Sequence, residues 1–383
     1  MRVSWSDPTF RSLVWQVLIV GLLIAVIWYL VSNTNQNLAG RHIATGFAFL
    51  WRIAGIPIGE SPIGYNPAVD TYGKALLIGV LNTLKVSLSG IVLATILGTL
   101  IGIGRLSRNW LLARLTAVYV EVLRDVPVLL QLLFWYTILQ SLPAPRQSWR
   151  IGDAIFLSNR GFKVPALEWE PAQSWALLAF VVGLVGTWTY NRMARRRQEA
   201  TGVRPLVWPA VLVLLLILPI GVWAALGAPL GIEKPVLRGF NFVGGATISP
   251  EFAALLIGLV IYTSSYIAEI VRSGIEAVPQ GQWEAAAALG LRRALILRKI
   301  VLPQALRVII PPMTSQYLNL TKNSSLAVAI GYQDIVSLAN TTLNQTGQAI
   351  EGIAIIMAVY LTISLSISLF MNWYNAHIAL VER

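Results

Sequence analysis

The sequence predicts an all-α integral membrane protein with about eight transmembrane helices. Of the 383 residues, 56% are hydrophobic and only 12% are charged, whereas charged residues make up about a quarter of a typical soluble domain. Several apolar runs reach the length of about 20 residues that a helix needs to cross the hydrocarbon core. The segments between these runs are too short to hold a soluble catalytic domain.

Eight apolar runs account for these helices. In chain order they lie near residues 13–31, 75–103, 117–140, 173–190, 206–226, 251–271, 308–330 and 350–374. The third and seventh runs differ from the others because they contain charged residues and proline inside the apolar stretch. The first run has no small-residue cleavage site followed by a polar mature domain, so we interpret it as a retained span and not as a signal peptide.

The distribution of basic residues predicts the orientation of these spans. With a cytoplasmic N-terminus, the loops assigned to the inside hold 17 Lys and Arg, and the longer outside loops hold only nine. The strongest element is the group Arg192, Arg195, Arg196 and Arg197. By the positive-inside rule, both termini are expected in the cytoplasm. The formal charge of +12 is dispersed among apolar spans, which argues against a nucleic-acid-binding surface.

The segment after the sixth run predicts more than a simple turn. Residues 282–289 are strong helix formers, and Gly290 is a natural left-handed C-cap. Pro279 precedes this short helix and Pro303 marks a second break. A helix of about two turns at the membrane face has too little apolar area for a core of its own, so its small exposed residues suit docking into a groove of another protein.

The spacing of this segment carries a family resemblance. Glu284-Ala285-Ala286, three residues, Gly290, nine residues, Ile300, one residue and Leu302-Pro303 resemble the EAA loop of ABC importer permeases at every position. The resemblance implies that the short helix couples the spans to a separate cytoplasmic ATPase. The residues expected to carry this coupling are Glu284, Ala285, Ala286, Gly290, Arg292, Ile300, Leu302 and Pro303.

Four further motifs resemble the polar amino-acid uptake branch of that family. They are Asn82–Leu84, Leu123–Leu132, Ala268–Ile275 and Lys322–Leu326. The sequence departs from the usual pattern where Asp-Val-Pro follows Arg124 instead of Gly-Thr-Pro, and where Asn-Ser-Ser follows Lys322 instead of Asp-Thr-Ser. With its length and inserted spans, the chain is most similar to the larger permeases of general L-amino-acid transporters, which implies a broad amino-acid range.

The resemblance also implies an organisation and a set of partners. The five-helix type I permease core would use the second, third, sixth, seventh and eighth spans. We expect residues 1–74 to form an anchor span and periplasmic loop, 75–142 the first part of the core, 143–250 an insertion with two extra spans, and 251–383 the second part, with the EAA loop at 272–307. The implied partners are two ATPase copies, a second homologous permease chain, a periplasmic amino-acid-binding protein and the bilayer of a bacterial inner membrane.

Catalysis and cofactors are expected on another chain. The sequence has no Gly-x-x-x-x-Gly-Lys-Ser/Thr phosphate loop, so ATP and Mg are implied only for the partner ATPase. With no Cys and two His, we expect no metal site. Two alternatives remain: a secondary transporter driven by an ion gradient, which should show repeat symmetry and matched broken helices, and a membrane-embedded enzyme, for which no catalytic motif is present. The EAA spacing argues against both.

Polar groups within the spans supply candidates for the translocation path. An amino acid needs donors for its carboxylate and acceptors for its ammonium group. The candidates are Asn82, Thr83, Tyr262, Ser265, Glu269, Asn319, Lys322, Asn323 and Ser324. For each Ser and Thr the alternative is helix packing with the hydroxyl bonded to its own backbone.

Charged groups on two of the spans are expected to pair locally. We favour a structural or gating role over substrate contact for Glu121, Arg124 and Asp125, because Glu121 is three and four residues from the others. Glu269 and Arg272 are likewise three apart, and we expect them to order the approach to the short helix.

Overall fold

The computed structural model describes residues 8–40, 45–152, 154–203 and 205–378, so both ends of the chain lie outside the described residues. The chain divides into two compact units, the first formed by Met1–Trp135 with Ala254–Arg383 and the second by Tyr136–Ala253. The helices are α1 (Pro8–Gly40), α2 (Tyr72–Arg105), α3 (Trp110–Asp125), α4 (Val128–Gln140), α5 (Pro171–Thr201), α6 (Trp208–Leu212), α7 (Leu218–Ala225), α8 (Pro250–Glu276), α9 (Gln280–Ala288), α10 (Arg293–Ile296), α11 (Leu302–Asn323), α12 (Ile335–Thr346) and α13 (Ala349–Ile378).

Six helical segments among the described residues are long and apolar enough to cross a membrane. They are Arg11–Leu30, Tyr72–Arg105, Pro171–Thr201, Trp208–Ala225, Pro250–Glu276 and Ala349–His377. These segments confirm the first, second, fourth, fifth, sixth and eighth predicted spans. The fourth of them is continuous because a π-helical stretch, Val213–Ile217, joins α6 to α7.

The third predicted span is not one continuous helix. α3 ends at Asp125 and α4 begins at Val128, because Pro127 lacks an N–H and disfavours helical geometry at the residue before it. The Nε2 of Gln131 donates to the carbonyl oxygens of Leu123 at 2.9 Å and Val126 at 3.0 Å. These two bonds satisfy carbonyls that the break leaves without helical partners.

The seventh predicted span also differs from a simple apolar helix. α11 contains Pro311 and Pro312, and it continues as a 3₁₀ segment, Ser324–Ile330, that ends at Gly331 with φ +77°. Polar residues along α11, among them Arg307, Gln316 and Asn319, lower its apolar character, and it is not among the six segments. At its other end, a π-helical stretch, Leu297–Val301, joins α10 to α11.

Close packing against α8 positions α2 in the first unit. A Cβ added to Gly98 would lie 2.7 Å from the Cβ of Ile267, and one added to Gly102 would lie 2.7 Å from the carbonyl oxygen of Ala268. Small residues four apart let two helix backbones approach each other closely within a membrane. The two glycines therefore fix α2 against the buried face of α8.

The second unit combines helices with short strands that the sequence did not indicate. The strands are β1 (Trp149–Ile151), β2 (Ile155–Ser158), β3 (Gly161–Val164), β4 (Ala166–Leu167), β5 (Ile232–Glu233), β6 (Val236–Arg238), β7 (Asn241–Val243) and β8 (Ala246–Ile248). They form an antiparallel sheet of order β1-β2-β3-β8 and two separate pairs, β4-β5 and β6-β7. All eight strands, which lie within the predicted insertion at 143–250, are only two to four residues long and so too short for a clear alternating pattern in the sequence.

Candidate coupling segment and polar cavity

The coupling segment, residues 279–303, contains the predicted short helix. α9 follows Pro279 and ends at Ala288. Gly290 has φ +73°, a left-handed conformation that favours glycine. Its N–H donates to the carbonyl of Ala287 at 2.9 Å, and the N–H of Leu291 donates to Ala286 at 3.3 Å. The predicted helix and its glycine C-cap are confirmed.

One side of α9 is anchored and the other is exposed. The side chain of Ala286 is only 2% exposed and belongs to the same buried cluster as Ile296 and Val301. Glu284 and Ala285 are exposed, and Leu289 is 78% exposed. A small residue at 286 lets α9 lie close to the helices beneath it, while the opposite side remains open to a partner.

The other residues of the predicted coupling set divide in the same way. Arg292 is exposed at the N-cap of α10, and Ile300 is partly buried against the cluster that contains Ala286. Leu302 and Pro303 begin α11 and are both exposed. Beside α9 lies a groove of about 800 Å³, whose lining includes Leu106 and Trp283. The set therefore combines residues that anchor the segment, Ala286 and Ile300, with residues that are exposed.

An ion-pair network lies near the end of α8 that precedes this segment. The carboxylate of Glu269 pairs with Arg272, as predicted, and also with Arg105 at the end of α2. Arg272 pairs in addition with Glu276. Sequence analysis missed Arg105 because its partner lies 164 residues away along the chain. The carboxylate of Glu269 therefore links the end of α2 to α8 beside the close packing of Gly98 and Gly102.

A polar cavity of about 430 Å³ lies next to this network in the first unit. Its lining residues are Arg105, Val120, Glu121, Arg124, Asp125, Tyr266 and Glu269. The expected local pairing of Glu121 with Arg124 is not formed, since the ion pairs of the described residues include neither. The guanidinium of Arg124 lies instead over the ring of Tyr266, with its Cζ 5.0 Å from the ring centroid.

Two predicted path residues lie in a buried joint at the other end of α2. The Nδ2 of Asn82 donates to the carbonyls of Glu60 at 3.0 Å and Gln333 at 2.9 Å. The hydroxyl of Thr83 donates to Gly79 at 2.9 Å and accepts from the N–H of Ile335 at 3.2 Å. Because both side chains are fully buried in these contacts, their geometry favours a structural role.

The remaining predicted path residues lie on α8 and at the end of α11. Ser265 donates to the carbonyl of Tyr262 at 2.6 Å, and Ser324 donates to Thr321 at 2.7 Å, which is the back-bonded alternative. The hydroxyls of Tyr262 and Tyr266 are 3.1 Å apart. Asn319, Lys322 and Asn323 do not line the polar cavity. Asn319 and Lys322 are exposed, and Asn323 is partly buried.

The sequence is similar to known transport proteins. Residues 204–380 match the family described as "Binding-protein-dependent transport system inner membrane component". The chain is 49% identical to the general L-amino acid transport system permease protein AapQ of Rhizobium johnstonii, covering 100% of this chain and 96% of that protein. It is 50% identical to the putative amino-acid ABC transporter permease protein YhdX of Escherichia coli, covering 100% and 97%. Identity to the glutamate/glutamine/aspartate/asparagine transport system permease protein BztB of Rhodobacter capsulatus is 43%, covering 98% and 96%.

Proposed function

The chain belongs to the family of binding-protein-dependent transport system inner membrane components, the permeases of ABC importers, and from this premise we propose that it moves L-amino acids of broad range into the cytoplasm. The names of its full-length relatives support this substrate class, since they include a general L-amino acid permease and one for glutamate, glutamine, aspartate and asparagine. ATP and Mg would act on two copies of a separate ATPase, and this chain supplies no catalytic residue.

The observation that carries the proposal is the one-sided exposure of α9. A short helix that is fixed on one side by Ala286 and exposed at Glu284 on the other side and at its C-cap, Leu289, is suited to insertion in a cleft of a cytoplasmic partner. Glu284 can accept a hydrogen bond from an arginine there, and Leu289 can bury apolar surface. The groove beside Trp283 adds a second surface of contact.

The proposed mechanism is alternating access. A loaded periplasmic binding protein docks on the outer loops, and ATP binding closes the ATPase pair. The coupling segment then moves the ends of α8 and α11, and the network around Glu269 carries that movement to Arg105 on α2. A second, homologous permease chain completes the translocation path. The complex lies in the inner membrane of a bacterial cell, and both termini of the chain described here face the cytoplasm.

Uptake of labelled L-amino acids by the purified complex in liposomes tests this proposal. Glu284→Arg places a like charge before an arginine of the partner, and Gly290→Asp forces a side chain into a left-handed turn. Both variants are expected to remain in the membrane while ATP hydrolysis no longer drives uptake. Glu199→Arg, an exposed change of the same kind on α5, serves as the matched control.

Normal uptake by both Glu284→Arg and Gly290→Asp would contradict the proposed coupling role of this segment. Uptake by this chain alone, driven by an ion gradient without any ATPase, would instead support a secondary transporter.

A further inference from the structure

One face of α5 consists of side chains that are exposed along most of the helix. Residues three and four positions apart lie on the same face of a helix. At this spacing, the exposed residues in chain order are Leu178, Val181, Val185, Trp188, Arg192, Arg195 and Arg196. The face is apolar as far as Trp188 and basic from Arg192 onward. We call its last three residues the arginine cluster.

The opposite face of α5 packs against the helical segment that follows it. A Cβ added to Gly183 would lie 2.1 Å from the carbonyl oxygen of Leu214, which belongs to the π-helical stretch between α6 and α7. Gly183 and Arg192 are nine residues apart, which is two and a half helical turns and places them on opposite faces. Ala194, on the same side as Gly183, is only 3% exposed. The arginine cluster therefore points away from the α6–α7 segment.

Two exposed tryptophans indicate the depth of this end of α5. Because α5 ends at Thr201 and α6 begins only seven residues later, the two helices run in opposite directions. Trp188 is five residues after Gly183, and Trp208 is six residues before Leu214. Both tryptophans therefore lie about 8–9 Å from the contact of Gly183 with Leu214, toward the same end of the pair. They are 62% and 64% exposed, and Trp is enriched where hydrocarbon meets the headgroups, so this level marks the membrane surface.

The arginine cluster lies just beyond this level. Its residues are four to eight positions after Trp188, or about 6–12 Å further along the helix axis. The guanidinium of Arg192 lies over the Trp188 ring, with its Cζ 5.4 Å from the ring centroid. No member of the cluster forms an ion pair with another residue that the structure describes, and neither does Glu199, the acidic residue that follows on the same face. The cluster thus presents three positive charges at the depth of lipid phosphates.

We propose that the arginine cluster is a binding site for anionic phospholipids. Guanidinium groups donate pairs of hydrogen bonds to phosphate oxygens. The acyl chains of the same lipid can lie along the apolar part of the face, at Val181 and Val185, while its phosphate contacts the arginines. A soluble protein partner would match only the basic part of this face, whereas a phospholipid matches both parts.

The net charge of the headgroup decides which lipids this site prefers. A zwitterionic headgroup carries a cation that offsets its phosphate, whereas an anionic headgroup keeps its negative charge for the arginines. Each Arg near an anionic membrane surface strengthens binding by about fivefold. The inference goes beyond the proposed function, because it requires neither a transported solute nor an ATPase.

Lipid retention by the full-length protein tests the site. The protein is reconstituted in vesicles of equal parts phosphatidylglycerol and phosphatidylcholine and then extracted in mild detergent. Mass spectrometry measures the ratio of the two lipids that remain bound. Phosphatidylglycerol should be enriched several-fold by the wild type, and the triple variant Arg192→Gln, Arg195→Gln and Arg196→Gln is expected to lose most of this enrichment, because each arginine contributes about fivefold.

A second triple variant controls for the change in total charge. Arg160→Gln, Lys234→Gln and Arg238→Gln remove three charges from exposed positions in the strand-containing part of the same unit. This control should retain the wild-type lipid ratio.

Three outcomes would overturn the lipid site. They are an unchanged lipid ratio in the arginine variant, an equal loss in both triple variants, and an unchanged ratio together with poorer recovery of an ATPase, which would assign the cluster to a protein partner. Glu199→Gln tests the same site without removing an arginine, so it serves even if the arginine variant does not reach the membrane. Loss of this negative charge should raise the enrichment of phosphatidylglycerol, and no rise would also contradict the proposal.

Discussion

The two ends of α2 are held by different kinds of contact. At the Tyr72 end, buried apolar residues such as Leu76 pack against Ile335 and Leu338 of α12, and Asn82 satisfies two backbone carbonyls. At the Arg105 end, the helix is joined to α8 through the partly exposed carboxylate of Glu269. Both ends also pack against distant parts of the chain, the second through Gly98 and Gly102 on the buried face of α8, but only the second adds a partly exposed ion pair to that packing.

This difference indicates which contacts of α2 can change most readily. Separating a packed core exposes apolar area and leaves cavities, which costs several kcal/mol. A partly exposed ion pair contributes about 1 kcal/mol or less, because water replaces its partners readily. The Tyr72 end is therefore a fixed joint, and at the Arg105 end the ion pair of Glu269 is the contact that can change at the lowest cost during transport.

The largest expected effect on stability is at the fixed joint. Ile335, the first residue of α12, is fully buried in the cluster that contains Leu76 of α2. Ile335→Ala leaves a cavity and is expected to lower the free energy of unfolding by about 2–5 kcal/mol. Thermal denaturation of the purified protein in detergent measures this loss. A loss below about 1 kcal/mol would show that the Tyr72 end is not a rigid joint.

The same joint contains Asp334, whose carboxyl pKa differs from its ordinary value. Burial raises the pKa of Asp334 to about 6, above its value in the unfolded chain of about 3.9. The folded state thus binds the proton more tightly, so this group stabilises the fold fully below about pH 4 and loses that contribution as pH rises to about 6. The expected decline is up to about 3 kcal/mol.

Asp334→Asn isolates this effect, because asparagine can still accept the hydrogen bond that Ser337 N–H donates at 2.8 Å. Measured from pH 4 to pH 7, the stability of the variant relative to wild type should increase with pH and become constant above about pH 6.5. A difference that does not vary with pH would mean that Asp334 keeps an ordinary pKa in the folded protein.

Local sequence signals predicted the coupling segment well, because helix formers, a glycine cap and flanking prolines act within a few residues of each other. The same reasoning flagged proline in the third span but did not place the break at Val126–Pro127 or the bonds of Gln131 that cap it. The length of the apolar runs predicted eight spans, and six of them are long apolar helices for the same local reason.

Contacts between residues far apart in sequence were not accessible in this way. The helix spacing of Glu121 and Arg124 indicated a local pair, but the ring of Tyr266, more than a hundred residues later, attracts the guanidinium instead. Likewise, no local pattern connects Arg105 with Glu269. The polar cavity is assembled from three helices, so its composition becomes visible only when the fold is known.

A smaller effect on stability is expected at the Arg105 end of α2. Glu269→Gln removes the charge shared by Arg105 and Arg272 and should cost about 1 kcal/mol of stability. Its main effect is expected on function, as a several-fold fall in amino acid transported per ATP hydrolysed. Glu276→Gln is the matched control, since Glu276 is more exposed and pairs with Arg272 alone. Equal transport losses in the two variants would refute a special role for the link to α2.

The smallest effect on stability is expected at Leu289. Leu289→Ala truncates a side chain much as Ile335→Ala does, but Leu289 is 78% exposed at the C-cap of α9. Its removal creates no cavity in the isolated chain, so the free energy of unfolding should change by less than about 0.5 kcal/mol. If α9 docks on an ATPase, the same truncation should weaken recovery of that ATPase with the tagged permease, because apolar contact area is lost at the interface. A variant that is both stable and fully associated would show that Leu289 lies outside the docking surface and would shift the coupling contact toward Glu284 and the groove beside Trp283.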